Sequence, residues 1–196
     1  MRELLIILFS AILVDNFVLS KFLGVCPFLG VSKNLKTAMG MSMAVIFVML
    51  LATMITWPVY HLLLWPNDLG YLQTVLFILV IAALVQLIEI FLKKVVPPLY
   101  QALGIYLPLI TTNCAILGVA ILNIDEGYSF VAALVNSLGA GVGFMLALFL
   151  FAGIRSKVDH ADVPKFFKGL PITLVSAALV SISFFGFKGL IEKLFG

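Results

Sequence analysis

The sequence predicts an all-α integral membrane protein: six transmembrane helices forming two inverted three-helix repeats within one membrane domain, residues 1–196. Three observations lead there. The chain is 63% hydrophobic and 11% charged, with mean hydropathy +1.23, so lipid must solvate much of it. Its apolar residues fall into six long runs separated by short polar connections. Motifs of the first half return in the same order in the second.

The runs lie near residues 4–31, 38–64, 72–92, 99–122, 129–153 and 170–191. A bilayer core of about 30 Å needs roughly 20 helical residues. The second, third, fifth and sixth runs satisfy this with some tilt or extra length. All are too long, and too little alternating, for barrel strands. The first run is interrupted by Asp15, Asn16 and Lys21, then by Gly24 and Pro27. The fourth carries Gly104, Pro108 and the polar run Thr111-Thr112-Asn113. Both are expected to be discontinuous helices, because irregular backbone at membrane depth persists only when buried in protein or lining a cavity. A matched pair of broken helices marks the functional centre of an inverted-repeat membrane protein.

Loop charge sets the expected orientation. Lys33 and Lys36 follow the first run, Lys93 and Lys94 the third, and Arg155, Lys157, Lys165 and Lys168 the fifth. The other connections carry Asp68, and Asp125 with Glu126, without Lys or Arg. The positive-inside rule then puts the first, third and fifth loops in the cytoplasm of a bacterial inner membrane and both termini outside. Lys188 and Lys193 near the C-terminus run against this, although such side chains snorkel. No cleavable signal peptide is evident. The net charge of +3 is not arranged as a basic stripe with aromatics, which argues against nucleic acid.

The repeat is read from three matches. Cys26-Pro-Phe-Leu-Gly-Val31 resembles Cys114-Ala-Ile-Leu-Gly-Val119. Small residues at 38, 40, 42 and 44 echo those at 137, 139, 141 and 143. Ala82-Ala-Leu-Val85 returns as Ala177-Ala-Leu-Val180. Pseudo-repeats of about 1–94 and 95–196 follow. Three spans per half is odd, so the halves enter the membrane from opposite sides about an axis in its plane. Cys26 and Cys114 are equivalent under that axis.

For the two cysteines the plainest reading is small buried hydrophobes; a disulfide is a second. Their symmetric placement beside helix breaks favours metal ligation, which stabilises thiolates that lipid would protonate. Two thiolates do not complete a four-cysteine iron–sulfur site, so a partner of the same design would supply the rest. Asp15, Asn16 and Lys21 are suspects because charged and polar groups within a span are costly; an Asp15–Lys21 pair is the structural alternative. Thr111, Thr112 and Asn113 either tune a cluster by hydrogen bonding or satisfy unwound backbone. Glu89 with Lys93 reads as an i, i+4 pair. Gly139 and Gly143 read as a close helix-packing face, and His61 and Asp159-His160-Ala-Asp162 as structural or solvated. The sequence contains no nucleophile–base pair, Walker loop or dinucleotide fingerprint.

The segments Asn16-Phe-Val-Leu-Ser-Lys-Phe-Leu-Gly-Val-Cys-Pro-Phe-Leu-Gly-Val-Ser-Lys33, Leu103-Gly-Ile-Tyr-Leu-Pro-Leu-Ile-Thr-Thr-Asn-Cys-Ala-Ile-Leu-Gly-Val119 and Asp162-Val-Pro164 resemble the RnfA/NqrE family across essentially the whole chain. The Cys-Pro-Phe and Thr-Thr-Asn-Cys segments resemble the Rnf side more closely. The resemblance implies a six-helix component of an ion-translocating ferredoxin:NAD oxidoreductase that moves Na⁺ or H⁺. It also implies one [2Fe–2S] cluster within the membrane, shared with the homologous RnfE protein of opposite topology, alongside the Rnf B, C, D and G components. Cys26 and Cys114 match the family's ligand positions; Asp15, Asn16, Thr112 and Asn113 are candidates for the surrounding shell or an ion path. The competing readings are an NqrE-type component of a Na⁺-translocating NADH:quinone reductase, an inverted-repeat transporter without redox chemistry, and a purely structural anchor.

Overall fold

The computed structural model describes residues 2–32, 35–67, 70–95 and 107–195, and every regular element among them is helical. Lys33, Asp68 and Gly104 lie outside the described residues, as do the side chains of Lys36, Pro108, Lys188 and Lys193. Helix α1 (Arg2–Phe9) passes into a π turn at Ser10–Val14. Irregular backbone follows, and the chain resumes as the short α2 (Val25–Val31). Helix α3 (Leu35–Val59) is prolonged by a second π turn, Tyr60–Leu64, and α4 spans Gln73–Val95. In the second half α5 (Leu107–Thr111) is separated by two residues from α6 (Cys114–Asp125). Helices α7 (Phe130–Asp159) and α8 (Leu170–Phe195) complete the chain.

The two runs expected to be broken are broken, and the other four are continuous helices. Thr37–Asn67, Gly70–Phe91 and Phe130–Val158 are each long and apolar enough to cross a membrane, while Leu109–Asp125 and Leu170–Gly186 are shorter apolar helices.

Helices α3 and α7 form the centre, burying Met41, Val45 and Met49 against Phe144, Leu148 and Phe151. Around them the halves interlock reciprocally. Helix α3 packs on α6 and α4 on α5 and α6, whereas α7 packs on α1 and its π turn and α8 on that same turn. The last two helices of each half therefore wrap the broken helix of the other. Helices α4 and α8 turn apolar side chains outward, among them Leu79 and Ile90 on α4, and Leu179 and Ile182 on α8. Water would penalise such surfaces; lipid or a partner helix does not.

Close approach at the centre depends on α7 glycines. A Cβ on Gly141 would lie 2.8 Å from Ile46 Cγ1, and one on Gly139 2.9 Å from Ala11 Cβ. This is the small-residue packing face expected from the sequence. His61 stacks on Trp57 at 4.0 Å and its Nδ1 pairs with the Trp57 carbonyl at 3.0 Å, a structural role.

Gly141→Val is expected to destabilise the detergent-solubilised protein by about 1–3 kcal/mol through overpacking. On the same helix Gly153 has nothing within 4 Å of an added Cβ. Gly153→Ala should therefore stabilise by about 0.5–1 kcal/mol through helix propensity. Thermal melts of the two variants check the contrast.

Candidate cofactor-binding site at the paired helix breaks

At the first break the π turn closes with the Asp15 N–H on the Ser10 carbonyl at 2.8 Å. Asn16, 1% exposed, then organises the irregular chain. Its Nδ2 donates to the carbonyls of Ile12 at 3.2 Å and Gly143 at 2.8 Å. Its Oδ1 accepts from the N–H groups of Val18 and Leu19 at 3.1 and 3.3 Å. Both amide donors and both acceptor positions are engaged, so Asn16 stands as a backbone clamp. Ser181 of α8 donates to the Leu19 carbonyl. The segment ends through two positive φ angles, +55° at Phe22 and +81° at Gly24.

At the second break Asn113 is the N-cap of α6, its Oδ1 accepting from the Ala115 N–H at 3.1 Å. The two breaks meet. A Cβ on Gly24 would lie 2.9 Å from Asn113 Oδ1 and 3.1 Å from Ala115 Cβ. Gly24 thus answers two demands, a left-handed backbone and close approach. The motif glycines repeat the contact reciprocally: Gly118 faces Leu23, and Gly30 faces Leu109.

This junction places both cysteines at the start of a half-helix. Cys26 is the second residue of α2, two after Gly24, and Cys114 is the first of α6, beside Asn113 and Ala115. Both are free and exposed on the chain surface, not buried hydrophobes or a disulfide. Cys114 Sγ is 3.9 Å from the Thr112 carbonyl. Thr112, Asn113 and Cys114 line a cavity of about 310 Å³ closed by Ile78, Ile81 and Ala82 of α4. The Nδ2 of Asn113, a residue 4% exposed, has no hydrogen-bond partner among the described residues. A buried donor left unpaired is costly and suits a sulfur or thiolate acceptor at this junction. Among the described residues no group of three or more His, Cys, Asp or Glu side chains could hold a metal. Two exposed thiols with one unused donor beside them fit half of a four-thiolate shell.

Asp15 and Lys21 lie elsewhere, lining a separate cavity of about 260 Å³ with Ser10, Glu126, Tyr128 and Asn136. Lys21 places its Nζ 5.0 Å from the Phe17 ring centroid, and Ser10 Oγ donates to Asp15 Oδ2 at 3.1 Å.

A model of the family described as "Rnf-Nqr subunit, membrane protein" matches residues 4–191. The chain belongs to the Rnf-Nqr membrane subunit family. It is 58% identical over 187 residues to the A component of the Na(+)-translocating ferredoxin:NAD(+) oxidoreductase complex of Acetobacterium woodii, covering 95% of this chain and 97% of that protein. It is 57% identical to the A component of the ion-translocating oxidoreductase complex of Syntrophotalea carbinolica, covering 97% and 99% of the two chains. The corresponding A component of Shewanella oneidensis is 53% identical, covering 98% and 100%.

Two features of this Rnf-Nqr protein are not apparent from its sequence. Arg155, which reads as a cytoplasmic loop charge, reaches back from α7. Its guanidinium donates to the Leu29 carbonyl at 2.6 Å and to Ser32 Oγ at 2.8 Å. It therefore holds the C-terminal end of α2, where a cation also complements the helix dipole. The only sequence signal for this is a basic residue near the end of a long helix. The second feature is a buried polar network joining α3, α6 and α7. Asn136 Nδ2 donates to Asn123 Oδ1 at 2.8 Å, and Asn123 Nδ2 to Ser137 Oγ at 3.1 Å; Ser137 Oγ meets Thr53 Oγ1 at 2.6 Å.

Replacing Arg155 by Gln should free α2 from α7 at a cost of about 2 kcal/mol, the scale of hydrogen bonds from a charged donor. Maleimide labelling of the isolated protein checks this: the Cys26 rate should rise several-fold and that of Cys114 should not.

Proposed function

We propose that this chain is the A component of an ion-translocating ferredoxin:NAD⁺ oxidoreductase. It relays electrons within a bacterial inner membrane through a [2Fe–2S] cluster shared with a homologous E component of opposite topology. The carrying observation is the contact of Gly24 with Asn113 and Ala115, which brings the starts of the two cysteine-bearing half-helices together at the surface. The names of the relatives supply the reaction class, and the reciprocal wrapping of the broken helices supports the inverted repeat of residues 1–94 and 95–196.

Cys26 and Cys114 would supply two thiolates, and the partner's equivalents the other two. A bound cluster supplies a one-electron carrier part-way across an insulating layer. This chain's own residues do the rest. Asn113 Nδ2, unpaired at this junction among the described residues, would be available to donate to a sulfur, which would favour the more negative state. Arg155 fixes the far end of α2, and so Cys26 relative to Cys114. Asn16 keeps the first break from collapsing or drawing in water. On reduction such a cluster would add negative charge in a low-dielectric site, where electrostatic effects are large. The Rnf B, C, D and G components would complete the electron path. The loop-charge pattern supports termini outside and the Arg155–Lys168 connection inside.

The test is low-temperature EPR of the dithionite-reduced, purified complex. Cys26→Ser and Cys114→Ser should each abolish the membrane-embedded [2Fe–2S] signal and reduce ferredoxin-dependent NAD⁺ reduction at least 100-fold, with the other components still co-purifying. An undiminished signal in either variant would remove the ligand assignment.

A further inference from the structure

The α7–α8 connection presents apolar and cationic side chains together. Its segment Val163-Pro-Lys-Phe-Phe-Lys-Gly-Leu170 carries two lysines and no acidic residue; Asp162 stands just outside it. Phe166 is 88% exposed, Phe167 and Leu170 are exposed as well, and so are Lys165 and Lys168. Large apolar side chains grouped in this way mark a surface that something else covers.

Hydrogen bonds hold the patch in place. The Phe167 N–H donates to the Pro164 carbonyl at 2.9 Å, and the Phe167 carbonyl accepts the Ile172 N–H at 3.1 Å. The second bond ties the connection to the first turn of α8. Gly169, at φ +94°, turns the chain into the helix, and Thr173 Oγ1 donates to its carbonyl at 2.8 Å. The rings of Phe166 and Phe167 meet edge to face with centroids 5.7 Å apart. The aromatic pair is therefore fixed at the head of α8, with its apolar surface turned outward.

Position selects the occupant. Leu170 and Leu174, one helical turn apart, are both exposed, and Ile182 and Phe185 continue the outward apolar surface along α8. Residues Leu170–Gly186 form an apolar helix. The aromatic pair extends its surface as far as Lys165 and Lys168, where charge ends the apolar stretch. That is the level at which hydrocarbon gives way to headgroups. A cavity of about 160 Å³, lined by Lys168, Ala161, Val163 and Ile172, opens at the same place.

Charge then selects the kind of lipid. Two ammonium groups without an acid between residues 163 and 170 gain little from a zwitterionic headgroup. An anionic one attracts them, by about fivefold per lysine. Lysine also suits this level, because its stem lies along apolar surface while the amine reaches phosphate. Protein–protein interfaces, by contrast, are depleted in lysine.

We propose that the turn from Lys165 to Leu170 is a docking surface for anionic phospholipid. Phe166, Phe167 and Leu170 enter the acyl boundary, and Lys165 and Lys168 hold the phosphates. On the loop-charge pattern the leaflet is the cytoplasmic one.

The test uses the full chain with Cys26→Ser and Cys114→Ser, nitroxide-labelled at Phe166→Cys. It is reconstituted in nanodiscs of phosphatidylcholine, alone or mixed with phosphatidylglycerol. Power-saturation EPR compares collisions of the label with oxygen and with a water-soluble nickel chelate. Phosphatidylglycerol should lower nickel access by roughly fivefold or more. Lys165→Gln with Lys168→Gln should abolish that difference, as should high salt. Equal nickel access in the two membranes overturns the site. Shielding that persists unchanged after both lysine replacements also overturns it, since the patch would then be apolar immersion alone. Shielding produced by the other Rnf components, and not by phosphatidylglycerol, gives the surface to a protein and overturns the lipid. If the cysteine-free chain does not assemble, the unmodified complex carries the test in the same membranes. Phosphatidylglycerol should then slow acylation of Lys165 and Lys168 by a water-soluble ester, read for each residue by mass spectrometry, and unchanged rates overturn the site. The labelled chain lacks both cluster cysteines, so failure here leaves the cluster proposal standing.

Discussion

The structure depends on one constraint: a helix interrupted inside a membrane exposes N–H and C=O groups that lipid cannot satisfy, so the protein must. This chain interrupts two helices. Asn16 binds two carbonyls and two N–H groups at the first break, and Ser181 takes the carbonyl of Leu19. Asn113 caps the helix beyond the second break. These partners come from several helices: Gly143 lies on α7 and Ser181 on α8. The breaks are therefore stable only in the folded whole, and the exchange of partners between halves makes the repeat interlock.

Close packing follows from that requirement. The Gly143 carbonyl reaches Asn16 only because α7 lies against the π turn, and a Cβ on Gly143 would sit 3.0 Å from the Ala11 carbonyl and 3.1 Å from Asn16 Nδ2. Gly139 and Gly141 extend the same closeness toward α1 and α3. In lipid there is little hydrophobic drive for helices to associate, so small residues and buried hydrogen bonds carry more of the specificity. The Thr53–Ser137–Asn123–Asn136 network is the second such device, joining α3, α6 and α7.

Much of this is legible in the sequence because apolar length and Gly/Pro interruption are strong signals. The continuous helices and both breaks fall where the runs place them, and the glycines of 139–143 pack as expected. Side-chain roles are less legible. Asn16 reads as an ion-path residue from sequence; charge and depth alone do not distinguish an ion ligand from a backbone clamp. Thr53, Asn123 and the adjacent pair Asn136-Ser137 lie in three different apolar runs, and only the packing of three helices brings them together. Arg155 is masked by its place in a basic cluster, where loop charge and helix cap look alike. The two cysteines stand out through symmetry, and an isolated cysteine without its repeat draws no notice.

The irregular segment also provides a physical route between its two ends. Asp15 opens it at the polar cavity, and Gly24 closes it against Asn113 and Ala115 beside the thiols. Between them Phe17 lines the cavity, accepts the Leu23 N–H on its carbonyl at 2.8 Å, and lies near Gly118 of α6. Leu23, which faces Gly118 of α6, is thus tied by that hydrogen bond to Phe17 at the cavity wall. A continuous helix would be held by its own ladder of hydrogen bonds. Here the chain is held instead by a few side-chain clamps, those of Asn16 and Ser181. The interrupted segment is thus specified by groups drawn from α7, α8 and the segment itself, and not by a helical ladder of its own.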